Sequence, residues 1–164
     1  MFPTLTGNGR VWIYVSKRAL QTEEITAIKQ KLAAFGSTWE AHGKPLQSAF
    51  DVLYNQILVL AVDEEVESAT GCSIDKALAV FQEIESTYSL DLFNRMNLTF
   101  VKPDETLRLV AMNEINQAYL SGLINNDTVF LDNTLAKLSD IRTRWQVPFQ
   151  SSWAFRKIKT TAAS

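Results

Sequence analysis

Ile57-Leu58-Val59-Leu60-Ala61-Val62, followed by Gly71-Cys72-Ser73-Ile74-Asp75, is the stretch on which the fold turns. The first run is strand-sized and apolar at every position, the pattern of a central strand covered on both faces. It leads into the acidic loop Asp63-Glu64-Glu65-Val66-Glu67. Beyond the loop, Ile74, Ala77, Leu78, Phe81, Ile84 and Tyr88 recur at three- and four-residue steps, the apolar stripe of a helix over 74–88. Gly71 breaks that pattern, so the helix is expected to begin just before Ile74, with Cys72 and Ser73 as caps and Asp75 in the first turn. Cys72 then sits at the positive end of a helix, which favours the thiolate, while Asp75 opposes it.

Working outward from this centre, residues 1–10 read as an irregular lead-in with Pro3, Gly7 and Gly9, and Val11-Trp12-Ile13-Tyr14-Val15 reads as a strand. Thr22 caps a helix carrying Ile25, Ile28, Leu32 and Phe35, and Gly36 ends it. Ser37 to His42 is expected to be a second strand, closed by Gly43-Lys44-Pro45, and residues 49–54 form a further strand. On the C-terminal side, 98–101 and 106–110 flank Lys102-Pro103-Asp104-Glu105, which is hairpin chemistry. Met112, Ile115, Tyr119 and Leu123 give a third helix, 128–131 a short strand, and Leu135, Leu138, Ile141 and Trp145 a last helix that stops before Pro148. With 49–54 set aside, residues 11–101 run strand, helix, strand, strand, helix, strand. That order predicts an α+β fold: a ferredoxin-like split βαβ core over about 11–101. Residues 102–159 would add a C-terminal α/β extension to one domain spanning 1–164.

Sixteen basic and eighteen acidic side chains leave a net charge of -2, with no positive excess to hold a nucleic-acid backbone. A single cysteine forms no internal disulfide and suits a reducing cytoplasm. The first residues carry neither a basic nor an apolar leader segment, and the longest apolar run is far below the roughly 20 residues a membrane span needs. A soluble, cytoplasmic protein is expected.

The one constellation that could carry chemistry is Cys72 with His42 as base and Asp75 as orienter, Glu40 or Asp63 being alternatives in the last role. An imidazole within reach of a helix-start thiol is the least that thiol nucleophilic catalysis requires. Their meeting depends on 49–54 lying as a strand between 37–42 and 57–62. Zinc-ligand spacing, the calcium-loop pattern and the G-x-x-x-x-G-K-[ST] phosphate loop are all lacking, so no metal and no cofactor are expected. Trp39, Glu40, Ser73, Arg95 and Trp153 are candidate ligand contacts, Arg95 as a carboxylate grip and Trp153 as an aromatic wall.

Trp39-x-x-His42-Gly43, Val62-Asp63-Glu64, Gly71-Cys72-Ser73-Ile74-Asp75, Phe93-Asn94-Arg95 and Trp145-x-x-Pro148 with Ser152-Trp153 resemble a family of small, uncharacterised bacterial proteins. The likeness spans residues 39–153, and the pentapeptide is its most specific element. Members often carry the label "ABC transporter ATPase", which the resemblance passes on, but it implies no catalytic residues. The functional expectation is a non-catalytic module that binds a small molecule or a protein, a second copy of the chain included. The alternative is a thiol-dependent enzyme or redox sensor using Cys72 and His42.

Overall fold

A computed structural model describes residues 1–159. In chain order they form β1 (Arg10–Val15), α1 (Thr22–Thr38), β2 (Glu40–Ala41), β3 (Lys44–Pro45), β4 (Gln47–Leu53), β5 (Ile57–Asp63) and α2 (Gly71–Tyr88). There follow β6 (Asn97–Val101), β7 (Leu107–Ala111), α3 (Ile115–Leu120), β8 (Val129–Leu131), α4 (Leu138–Arg144) and β9 (Gln146–Pro148). The chain is mixed helix and antiparallel sheet, an α+β protein. It divides into two compact units, Met1–Phe93 with Thr134–Arg142, and Asn94–Asn133 with the residues from Thr143 on.

In the first unit β5 is the middle strand of three, in the order β1-β5-β4, antiparallel to both neighbours. All seven of its residues are buried, which is why its sequence shows no alternation. Leu58, Leu60 and Val62 join Tyr14 and Val52 on the face covered by Ile28 and Leu32 of α1 and Phe81 and Ile84 of α2. Each large aliphatic side chain sealed there contributes about 1.5–3 kcal/mol. The free edge of β1 receives residues 136–138: Val11 N–H donates to Ala136 O and Leu138 N–H to Gly9 O, both at 2.8 Å, around an antiparallel bridge between Arg10 and Lys137.

Three sequence expectations need correction here. Helix α1 does not stop at Gly36 but continues to Thr38, so 37–42 is no strand of this sheet, and only Glu40–Ala41 pairs, with Lys44–Pro45. Gly36 does not terminate the helix but lies where α1 crosses β4, and a Cβ there would stand 3.2 Å from Ser48 Oγ. Helix α2 starts at Gly71 with Thr70 as N-cap, so Cys72 and Ser73 lie inside the helix and Asp75 falls beyond its first turn. Strand 97–101 does not close the βαβ core beside β1, because both edges of β6 are occupied, by β7 and by β8. The strand expected at 49–54 forms, as β4.

The second unit is a four-stranded antiparallel sheet, β7-β6-β8-β9, over a core of Leu98, Phe100, Val110, Ile115, Phe130 and Phe149. The hairpin over 98–110 forms as expected. The helix expected from Met112 to Leu123 opens as a 3-10 turn at Met112–Glu114, and α3 ends at Leu120. The last helix is confined to Leu138–Arg144, and the chain into Pro148 is an edge strand, where a missing N–H costs no ladder bond.

Candidate functional site

The start of α2 is built from a reciprocal cap: Ser73 N–H donates to Thr70 Oγ1 at 3.3 Å and Thr70 N–H to Ser73 Oγ at 2.7 Å. Ser73 is thereby turned inward and buried, while Cys72 next to it is exposed. Beneath this turn lies Trp39, 2% exposed, whose Nε1–H donates to Ser73 O at 2.8 Å. The indole is packed edge-on against Trp12, with ring centroids 6.0 Å apart, and tilted against Phe35 at 5.1 Å. Lys44 Nζ stands 3.3 Å from Glu67 Oε2, tying the β2–β3 hairpin to the acidic loop as well. The Trp39-x-x-His42-Gly43 and Gly71-to-Asp75 stretches therefore do meet, through Trp39 and Ser73, neither of which titrates.

His42 has φ 51° and Gly43 φ 75°, the consecutive left-handed pair that a two-residue type I′ hairpin loop demands. That backbone role accounts for the His-Gly pair. The imidazole is exposed at the hairpin tip. Among the described residues no side-chain hydrogen bond or ion pair joins Cys72, His42 and Asp75 to one another or to any neighbour. Glu40 and Asp75 are exposed. Arg95 and Trp153 belong to the second unit, where Arg95 is exposed and Trp153 Nε1–H donates to Asp132 Oδ1 at 3.1 Å.

Asp63 is occupied with structure. It is 5% exposed and accepts from Thr6 N–H and Thr6 Oγ1, both at 2.8 Å, and from Glu65 N–H at 3.0 Å. The bond from the Thr6 backbone, with smaller help from Glu65 and the Thr6 hydroxyl, holds its carboxyl below the usual carboxylate range against the opposing effect of burial. This clamp fastens the lead-in segment to the end of β5.

A feature that sequence reasoning missed lies along β4. Strand β5 uses one edge of β4, and alternation sends the main-chain groups of residues 48, 50 and 52 to the other. Of these, Val52 N–H is capped by Asp51 Oδ1 at 2.8 Å, and the same oxygen lies 3.2 Å from Lys29 Nζ. At the opposite end Leu46 N–H is taken by Trp39 O at 2.9 Å. Between these stops, Ser48 and Phe50 leave both N–H and C=O unmet among the described residues. They border a groove of about 540 Å³ lined by Thr4, Leu5, Ala33, Gly36, Ser37 and Gln47, with Leu46 at one end. No lining side chain is charged. No local signal marks this edge, since the run Gln47-Ser48-Ala49-Phe50-Asp51 does not alternate between polar and apolar residues.

Among the described residues no group of three or more His, Cys, Asp or Glu could hold a metal ion, and no helix is long and apolar enough to cross a membrane. Compared with models of known protein families, with curated protein sequences and with solved structures, the chain matches none.

Proposed function

We propose that this chain is a non-catalytic binding module that works through the groove along β4. The observation that carries this role is the pair of unmet main-chain positions, Ser48 and Phe50, framed by uncharged side chains. A free strand edge of that kind recognises extended backbone, which adds to the sheet as another strand. A protein segment suits it better than a compact small molecule, because the groove offers backbone donors and acceptors and no titratable side chain.

The first unit is read as a ferredoxin-like arrangement in which residues 136–138 take the edge place that a full fourth strand would fill, supported by the order β1-β5-β4 and by the antiparallel bridge to Arg10. The contact between Trp39 and Ser73 supports the kinship suggested by the two sequence stretches they come from. An exposed, unpaired Cys72 is compatible with a reducing cytoplasm. Thiol catalysis is the weaker alternative, because it needs a base at the Cys72 sulfur.

Alkylation of Cys72 separates the two roles. A binding module reacts with iodoacetamide at neutral pH at the rate of an exposed cysteine in a short peptide, and His42→Ala leaves that rate unchanged. A much faster reaction that His42→Ala abolishes would establish a thiol enzyme and remove the non-catalytic role.

A further inference from the structure

We propose that the strand laid along β4 is β4 of a second copy, so that two chains join their sheets edge to edge in an isologous dimer. The inference rests on the binding role proposed for this edge and names its partner. The free groups are self-complementary. Ser48 and Phe50 lie symmetrically about Ala49, so a two-fold axis at Ala49 opposes Ser48 to the partner copy's Phe50 and Phe50 to its Ser48. Each of these pairs exchanges two N–H···O=C bonds. All the unmet groups at Ser48 and Phe50 are then satisfied.

The positions at which this register stops are those already closed within one chain. The next outward N–H groups, Leu46 and Val52, have donated to Trp39 O and Asp51 Oδ1. At the axis Ala49 meets Ala49, small enough for the close approach of a non-hydrogen-bonded pair. Flanking it, Asp51 faces the exposed, uncharged Gln47 of the other copy, so no like charges are opposed. A register centred on Phe50 would instead require Val52 N–H, which its own neighbour caps. The charge pattern and the hydrogen-bond pattern select the same alignment.

The test is the mass of the intact chain by light scattering and sedimentation at low salt, from dilute protein up to about 1 mM, the weak limit of a measurable association. Gln47 is exposed and its side chain has no hydrogen bond to lose among the described residues, so its variants leave the fold intact. The proposed register puts residue 47 opposite Asp51 twice per dimer. Gln47→Lys should therefore tighten association roughly threefold to tenfold, and Gln47→Glu should loosen it by a similar factor. A wild-type dimer insensitive to the sign of the charge at 47 overturns the proposal. So does one in which the Ser48 and Phe50 amides exchange as fast as in dilute protein. A wild-type chain monomeric throughout overturns it too, and amide exchange then separates the two failures. Fast exchange at Ser48 and Phe50 leaves the edge open to a different strand, and slow exchange removes the binding role as well.

Discussion

Replacing Trp39 by phenylalanine isolates the contact that joins the β2–β3 hairpin to the start of α2. The indole is 2% exposed, and its Nε1–H meets Ser73 O at 2.8 Å. Ser73 lies in the first turn of α2, so its carbonyl keeps the helical N–H of residue 77 when the indole is lost. The acceptor is not orphaned, and the missing bond costs about 1 kcal/mol instead of the larger desolvation penalty. The smaller ring also gives up packing against Trp12 and Phe35. Since full truncation of a buried Trp costs about 3–5 kcal/mol, loss of one ring should add about 1–2 kcal/mol. The total, about 2–3 kcal/mol, corresponds to a fall in Tm of roughly 4–12 °C for a chain of this size. Urea denaturation should show a lower midpoint at unchanged slope. Amide exchange should quicken at residues 71–74 but not in the sheet of the second unit. A loss below about 0.5 kcal/mol, within the range of ordinary surface substitutions, would refute the assignment of Trp39 as the buried support of α2.

Two further outcomes follow from the geometry. Glu24 is lowered from the usual 4.5 to about 2, first by the Arg18 side chain and then by the Gln21 backbone N–H. Its stabilisation is therefore complete above about 4.5 and fades as pH falls toward 2. Because Arg18 is 39% exposed, solvent screening reduces its worth to about 1 kcal/mol. Glu24→Gln should cost that much at pH 7, and the gap from wild type should close between pH 4.5 and 2 in denaturant titrations. A gap that persists at pH 2 would contradict the ion pair as its source. Gly36→Ala adds a Cβ 3.2 Å from Ser48 Oγ, a hydroxyl without a hydrogen-bond partner among the described residues and free to rotate away. Helix propensity should then win, raising stability by about 0.5–1 kcal/mol. A fall in Tm would show that Ser48 cannot yield.

The elements legible in the sequence were those whose pattern is local and strong. Residues 57–62 and 74–88 announced a buried strand and an amphipathic helix, and the turn chemistry at 102–105 announced a hairpin. The segment 37–42 misled because Thr38 and Trp39 have strand-like propensity, but the hydroxyls of Ser37 and Thr38 act on the helix. In the structure they bond back to Ala34 O at 2.8 Å and Phe35 O at 3.2 Å, closing the last turn of α1. The thiol–imidazole pairing inherited that error, since it placed His42 on a strand of the main sheet. Trp39 and Ser73 stand 34 residues apart in sequence, so their contact has no local signature. The open edge of β4 was equally hidden. Which side of a strand is left unpaired depends on sheet order, and that is decided by residues far along the chain.

The most direct measurement is amide hydrogen exchange at Ser48 and Phe50, followed from dilute to concentrated protein by NMR. In dilute protein these two amides should exchange freely while Ala49 and Asp51, bonded to β5, stay protected. With rising concentration they should become as slow as their neighbours, as a second β4 covers the edge. Protection of Ser48 and Phe50 even in the dilute chain would contradict an open edge and the binding role built on it.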